Sequence, residues 1–367
     1  MLKSTIATVR RKYLSKKDKL FLDTLRIMAP GTPLREALSY ILQSGNGGLI
    51  VLGNTKRVLS LSTGGFKIDV PFSPTHCYEL SKMDGAIILN SDATRILWAN
   101  RFLEPSTRIP SQETGTRHRA AERLAKQTGN AVIAISEKRS TMTVYVGDRK
   151  HIMDNIQTVH NKAAQAVQAL EKNSLKLASE LRQLSIREFE NTVTIFDVVS
   201  ILQRVERTLR IADEIELFIV ELGTEGKLIE EQLKELLGTA EEGLMVIDDY
   251  YVKEHVKSPE EVQERLFKLK DDELMEPGCI SQALGYGSNI RAVDTYIVPR
   301  GYRILTLTRR LPRQIIEILV DKFKNLQNIC NASRDELVKI EKIGDVMAER
   351  IRTSLEILKN QLMLEYH

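Results

Sequence analysis

The sequence predicts an α/β amino-terminal domain with a central mixed sheet, followed by an all-α middle domain and a helical carboxy-terminal domain. Short apolar runs separated by turn residues fill positions 47–146, whereas from Ile152 onward apolar residues recur at helical spacing. The first pattern is typical of buried strands and the second of amphipathic helices. A chain of 367 residues is long enough for two or three domains with their own cores.

Five strands and one helix are expected in the amino-terminal domain. The helix covers Ala120–Gln127 and ends at Gly129, a residue type that commonly follows helix ends. The strands are Gly48–Leu52, Gly85–Leu89, Ile96–Ala99, Ala131–Ile135 and Thr141–Val146. Strands that alternate with helices favour an α/β domain with a largely buried sheet.

Beyond Ile152 the pattern predicts a long amphipathic helix and further helices up to about Lys270. The segment Asp271–Gly278 is expected to be a joint because it contains Pro277 and Gly278. Short helices are expected at Gln314–Asn325, Ser333–Lys339 and Val346–Leu358. The expected domains are therefore a basic lead-in at 1–20, the α/β domain at 21–150, the helical middle at 151–275 and the carboxy-terminal domain at 276–367.

Composition narrows the function classes. Hydrophobic residues make up 42% of the chain and charged residues 28%, as in water-soluble globular proteins. No stretch approaches the roughly 20 apolar residues that cross a bilayer, and no apolar segment follows the basic first residues as in a signal peptide. We therefore expect a cytoplasmic protein without a membrane partner. The three cysteines lie far apart, so neither a disulfide framework nor a zinc site is expected.

The charge is unevenly distributed along the chain. The net charge of +4 combines an acidic stretch at 213–274 with basic ends. This pattern predicts that a polyanionic partner meets the ends, although ordinary solvated helix faces explain it too.

The segment Glu113–Arg119 is the first candidate for chemistry. A glycine turn that leads into a helix presents free backbone N–H groups and the positive end of the helix dipole to an anion. Arg117, His118 and Arg119 add donors suited to phosphate oxygens. The alternative is an ordinary exposed basic cluster.

Two further elements support a nucleotide site. Asp84 precedes Gly85 at the start of a strand, where a carboxylate can hold Mg²⁺ or Mn²⁺ and a glycine lets a nucleotide approach the backbone. Ser136 and Arg139 follow the strand Ala131–Ile135, at a sheet edge suited to a triphosphate. A turn aspartate and a solvated hairpin tip are the competing interpretations.

The two motifs resemble those of the diadenylate cyclase (DAC) domain family. Asp84-Gly85-Ala86 is similar to its DGA motif, and Arg117-His118-Arg119 to its RHR motif, which Ala121–Gly129 extends. The order of the domains is similar to that of the DNA-scanning members of this family, and the resemblance leaves out only the first twenty residues.

The resemblance implies that two ATP molecules are condensed into cyclic di-AMP with Mg²⁺ or Mn²⁺ as cofactor. Asp84 would ligate the metal and position the ribose 3′-hydroxyl. The nucleotide contacts that it implies are Gly85, the backbone near Leu103, Thr116, Arg117, His118, Arg119, Ala120, Ser136 and Arg139. It also implies active sites that face one another across protomers, in a homo-octamer. Ala120, where threonine is frequent, and Glu137, in a stretch that is often wholly basic, depart from the family pattern.

The carboxy-terminal segment resembles a helix-hairpin-helix module. The resemblance rests on Leu311-Pro312, Leu337, Ile340, Glu341-Lys342-Ile343-Gly344 and Ala348. Such a hairpin holds a DNA phosphate through backbone N–H groups and nearby cations without reading bases. Lys342 and Gly344 are the expected DNA contacts, with Lys342 in place of the usual first glycine. The resemblance implies branched DNA, such as Holliday junctions, as an inhibitory partner, while a plain helical hairpin is the alternative.

Three functions follow from these observations. The first is a diadenylate cyclase with an attached DNA sensor. The second is a DNA-junction binder whose nucleotide domain only senses ATP, and the third is another nucleotidyltransferase or an ATPase. The presence of Asp84 together with the complete Arg117–Arg119 triplet favours the first, because a degenerate sensor could lose its metal ligand.

Overall fold

The computed structural model describes residues 16–288, 294–308 and 311–364. The chain divides into two compact units. The described chain up to Ala166, together with Glu214–Glu231, forms the first unit, and Val167–Asp213 with the chain from Gln232 onward forms the second. The basic lead-in before Lys16 and the last three residues lie outside the described residues, as do 289–293 and 309–310.

The first unit is an α/β domain, which confirms the expected fold class. Its helices are α1 (Lys16–Ile27), α2 (Pro33–Gln43), α3 (Lys56–Ser60), α4 (Pro74–Ser81) and α5 (Thr116–Thr128). Its strands are β1 (Gly48–Leu52), β2 (Ser62–Thr63), β3 (Phe66–Pro71), β4 (Ala86–Leu89), β5 (Arg95–Leu103), β6 (Ala131–Ser136), β7 (Thr141–Val146) and β8 (Arg149–Met153).

The eight strands form one mixed sheet in the order β2-β5-β4-β1-β6-β7-β8, with β3 also paired to β5. β1 runs parallel to β4 and antiparallel to β6. All five residues of β1 are buried, as expected for a central strand that is covered on both faces. Ile50 packs with α1, α2 and α4 on one face, and Val51 packs with α5 on the other.

The expected strands are present, with differences at their ends. Gly48–Leu52 and Thr141–Val146 match β1 and β7, whereas β5 is longer than expected on both sides. β2, β3 and β8 were not predicted, because they are short or rich in polar residues and owe their strand geometry to pairing with neighbours. Helix α5 begins at Thr116, so the predicted start at Ala120 is wrong by about one turn.

Helices and their connecting loops make up the rest of the described chain. They are α6 (Ile156–Glu190), α7 (Ile195–Leu222), α8 (Lys227–Leu236), α9 (Gly238–Tyr250), α10 (Pro259–Lys268), α11 (Asp271–Met275), α12 (Pro277–Ala283), α13 (Tyr302–Leu307), α14 (Arg313–Phe323), α15 (Leu326–Asn331), α16 (Arg334–Val338) and α17 (Asp345–Leu364). A short 3-10 helix, Gly223–Gly226, separates α7 from α8. Among the described residues, no helix combines the length and apolar character needed to cross a membrane.

The predicted joint at Asp271–Gly278 is wrong. The segment contains α11 and the start of α12. Pro277 is compatible with a helix here because it occupies the first turn of α12, where a missing N–H costs nothing. Leu274 and Ile280 are buried in the same core as α7 and α9.

A buried ion cluster ties α13 to the helices of the second unit. The guanidinium of Arg303 is fully buried and donates to Glu188 at 2.5 Å, to Ser185 at 2.8 Å and to Glu242 at 2.9 Å. The carboxylate of Asp249 accepts three backbone N–H groups at the start of α13, at 2.6 to 3.0 Å. Buried charges are costly unless they are paired, so these contacts hold the start of α13 in one position within this unit.

Candidate nucleotide site

Strand directions bring the sequence-predicted residues to one edge of the sheet. Asp84 and Gly85 precede β4, and Gly47 precedes the parallel strand β1. Because β5 and β6 run antiparallel to these strands, Leu103 and Ser136 end their strands at the same edge. This edge is the carboxyl end of β6, where the sequence predicted Ser136 and Arg139 to lie. It is also the amino end of β1 and β4.

Glycine is the only residue type that fits at position 85 without a shift of the neighbouring chain. A Cβ there would lie 2.7 Å from the backbone carbonyl carbon of Asn100 and 2.7 Å from its side-chain Oδ1. Asn100 itself has a positive φ of 55°, a conformation that asparagine tolerates better than most residues. The exposed Asp84 carboxylate is therefore attached to a tightly packed strand start.

The basic triplet stands at the amino terminus of α5. Gly115 is the N-cap and has no side chain to bond to the helix, so no capping side chain pairs with the first N–H groups of α5. The Arg117 guanidinium lies against Gly47, where a Cβ would approach its Nη1 to 2.0 Å. Arg119 donates to the carbonyl oxygens of Glu113 at 3.2 Å and Thr114 at 2.9 Å, which fixes the loop before the helix.

His118 belongs to a hydrogen-bonded chain. Its Nδ1 lies 2.9 Å from the Tyr145 hydroxyl, which donates to Glu113 Oε1 at 2.9 Å. Lys150 Nζ forms an ion pair with the same Glu113 oxygen at 2.5 Å. Burial lowers the pKa of His118, the Glu113 carboxylate opposes this shift, and the cations Lys150, Arg117 and Arg139 add to it. The imidazole is therefore neutral near pH 7.

Sequence reasoning missed Tyr145 and Lys150 as parts of this site. It placed Glu113 in the candidate segment but gave this residue no role of its own. Tyr145 and Lys150 are cross-strand partners in the β7–β8 pair, so only the register of β8, a strand that was not predicted, reveals them.

The remaining predicted contacts are distributed around the triplet. Thr116 is exposed at the first position of α5, and Ala120 is half-buried one turn later. Ser136 accepts the backbone N–H of Arg139 at 3.2 Å, which shapes the turn after β6. Leu103, at the end of β5, is half-buried and packs against the core below α5.

The site suits a hard cation that binds together with the substrate phosphates better than a metal ion held by protein side chains alone. The described residues contain no group of three or more His, Cys, Asp or Glu that could hold a metal ion. Mg²⁺ is commonly held by one or two carboxylates together with substrate phosphates. An exposed Asp84 at the edge that carries the basic triplet is suited to that arrangement.

The carboxy-terminal hairpin connects α16 to α17. Lys342 has a positive φ of 72°, so it adopts the conformation for which glycine is usual. A Cβ on Gly344 would meet nothing within 4 Å, and its carbonyl oxygen accepts the first helical bond from Ala348 at 2.9 Å. Both residues are exposed, while Ile343 between them is buried. The turn thus presents open backbone and one cation.

Family models match three successive parts of the chain. The nucleotide-binding model of the DisA bacterial checkpoint controller matches residues 35–150, its linker-region model matches 153–293, and a helix-hairpin-helix model matches 313–364. The chain is therefore a diadenylate cyclase, a nucleotidyltransferase, with a linker and a helix-hairpin-helix domain of the DNA-binding type.

Two curated relatives cover nearly the whole chain. The DNA integrity scanning protein DisA of Acetivibrio thermocellus is 47% identical over 95% of this chain and 97% of its own length. That of Carboxydothermus hydrogenoformans is 46% identical over 94% of this chain and 98% of its own length. The chain belongs to the DisA family.

A similar solved structure is that of DacA from Staphylococcus aureus. It is 21% identical, covers 41% of this chain and 97% of its own, and has a TM-score of 0.29. A TM-score this low supports no conclusion about the fold or the function of the present chain.

Proposed function

We propose that the enzyme condenses two ATP molecules into cyclic di-AMP and two pyrophosphates, and that branched DNA on the carboxy-terminal domain controls this synthesis. The observation that carries the proposal is the common sheet edge of Asp84-Gly85 and the Arg117–Arg119 triplet. A carboxylate and a cationic helix start at one edge suit a metal-bound triphosphate.

The family resemblance implies a role for each residue at this edge. Gly85 would let the nucleotide approach the backbone, and the backbone near Leu103 would border the adenine. Arg117 at the helix start would hold phosphate oxygens, and Ser136 and Arg139 would steady the β- and γ-phosphates. A bound Mg²⁺ or Mn²⁺, held by Asp84, would neutralise phosphate charge. These groups act by positioning and by charge stabilisation.

The reaction requires two nucleotide sites that face each other. Each 3′-hydroxyl attacks the α-phosphorus of the opposing ATP, and pyrophosphate leaves. One site holds one ATP, so a second protomer must supply the other nucleotide. We therefore propose face-to-face cyclase domains, and we expect an isolated monomer to be inactive. The family resemblance implies that these pairs of domains lie within a homo-octamer.

The DNA role is proposed from the hairpin. Lys342 and the open backbone at Gly344 suit a phosphate of the DNA backbone without base contacts. Such binding does not read the base sequence. Branched DNA such as Holliday junctions is the partner that the family resemblance implies. Junction affinity should fall steeply with added salt because counterions are released on binding.

An exchange at Asp84 tests the cyclase assignment. The full-length protein is incubated with ATP and Mn²⁺ or Mg²⁺, and the products are separated by chromatography. Asp84→Asn should abolish cyclic di-AMP, whereas Asp92→Asn, an exposed aspartate in the turn beyond the opposite end of β4, should not. Full activity of Asp84→Asn would remove this carboxylate from the mechanism. Release of phosphate instead of pyrophosphate would favour an ATPase.

A further inference from the structure

The three side chains of the basic triplet differ in what occupies their hydrogen-bonding groups. Arg119 donates to two carbonyl oxygens of the loop before α5, and His118 is bonded to Tyr145 with its Nε2 enclosed. Arg117 is half-buried, yet its side chain makes no hydrogen bond or ion pair with any residue that the structure describes. Its guanidinium nitrogens still reach solvent. Arg117 is therefore the member of the triplet whose donors are free for a ligand.

The Arg117 guanidinium fills the space that a side chain at position 47 would need. A Cβ on Gly47 would lie 2.0 Å from Nη1, 2.6 Å from Cζ and 3.0 Å from Nη2 of Arg117, so its three nearest atoms all belong to the guanidinium. Side chains alternate along a strand, so position 47 shares a face with Leu49 and Val51, which pack against α5. Any residue other than glycine would displace the guanidinium from its present place.

Gly47 also brings this cation to the strand beside Asp84. Gly47 directly precedes β1, and Asp84 lies two residues before the parallel neighbour β4. Neighbouring strands lie about 4.8 Å apart, so the guanidinium and the carboxylate belong to adjacent positions of one edge. No ion pair joins Arg117 to Asp84. Because the two charges do not neutralise each other, the guanidinium can bind phosphate oxygens while the carboxylate holds a metal ion.

We infer that Gly47 is a positioning residue of the nucleotide site, whose missing side chain leaves the space in which the Arg117 guanidinium is held for the polyphosphate of ATP. This inference rests on the proposed cyclase function. A guanidinium binds phosphate oxygens through a rigid fork of donors, so its placement decides how well it binds. A side chain at position 47 would turn these donors away and leave the sheet intact, because only the end of a flexible side chain has to move.

Calorimetric titration of full-length variants with inorganic tripolyphosphate tests the inference, because this probe has neither a ribose nor a base. Gly47→Ala should weaken binding by about tenfold, the effect of losing one charge-assisted hydrogen bond, while urea unfolding stays as in the wild type. Arg117→Met should cause a similar loss. Gly47→Ala added to Arg117→Met should cause no further loss, because no guanidinium is left to displace. A general disturbance of the fold would instead weaken binding equally in both backgrounds.

Gly48→Ala is the matched control. Gly48 is the next residue, but its Cβ would point to the opposite face, in ordinary contact at 3.4 Å with the side chains of Ile41 and Ile135. This variant should bind tripolyphosphate as the wild type does. The inference is overturned if Gly47→Ala binds as tightly as the wild type, or if it weakens binding equally with and without Arg117. If the titrations give the expected results but the wild type makes no cyclic di-AMP from ATP, the proposed function fails and the role of Gly47 in anion binding stands.

Discussion

The hairpin residue Lys342 combines backbone strain with a proposed DNA contact, and exchanging it for glycine should change stability and DNA binding in opposite directions. Lys342 is exposed and has a φ of 72°. Lys342→Gly removes the strain and the cation together. The variant should therefore be more stable in the carboxy-terminal domain and yet bind DNA more weakly.

The size of the stability gain follows from the backbone. A left-handed conformation costs an L-residue about 1–2 kcal/mol, and Lys342→Gly removes this cost. The greater conformational freedom of glycine in the unfolded chain offsets about 0.5–1 kcal/mol of the gain. The expected gain is about 0.5–1 kcal/mol in the free energy of unfolding. Amide exchange at Ile351 and Leu355, both buried in α17, should slow by roughly 2- to 5-fold.

The DNA effect is read from the salt dependence of junction binding. Loss of one phosphate contact should reduce the slope of log K against log[salt] by about 0.9. Lys324→Gly is the matched control, because Lys324 also has a positive φ, of 70°, but caps the end of α14 away from the hairpin turn. It should relieve similar strain and leave the salt slope unchanged.

Two results would refute this reasoning. If Lys342→Gly leaves the salt slope at the wild-type value, the Lys342 side chain does not contact a DNA phosphate. If exchange at Ile351 becomes faster, the positive φ of Lys342 is not a strain that glycine relieves.

Two further exchanges test the packing described above. Gly85→Ala should weaken binding of a non-hydrolysable ATP analogue, because its Cβ must displace the backbone of Asn100. Gly238→Ala, which has open space at its Cβ, should bind the analogue as the wild type does. Equal affinities of the two variants would contradict the close packing at Gly85. Arg303→Met leaves Glu188 buried without its ion-pair partner and should cost the helical unit about 3–5 kcal/mol in urea unfolding, part of which Glu188→Gln should restore. A loss in the single variant below about 1 kcal/mol would show that the cluster does not fix α13.

Local sequence signals predicted the parts of the fold that local physics determines. Strands such as β1 and β7 are apolar runs between turn residues, and their bounds match the expectation. β8 contains Arg149, Lys150 and His151 in a five-residue strand, so its composition gives no strand signal. Its geometry comes from the hydrogen bonds with β7, a tertiary effect that outweighs propensity.

The same limit applies to the site. Asp84 and the triplet were predicted because motif and position coincide at strand and helix starts, and their roles stay predictions. The chain from His118 through Tyr145 to Glu113 joins residues up to 32 positions apart in sequence, and it depends on sheet register. The phosphate contact predicted for Arg119 stays a prediction. Its bonds to loop carbonyls could not be predicted, because they depend on how residues 113–114 approach α5.

The product stoichiometry of full-length enzyme with ATP and Mn²⁺ or Mg²⁺ tests the central claim most directly. We expect one cyclic di-AMP and two pyrophosphates for every two ATP consumed, with activity confined to assemblies in which two cyclase domains face each other. Consumption of ATP to ADP and phosphate, or a linear product without cyclisation, would contradict the account.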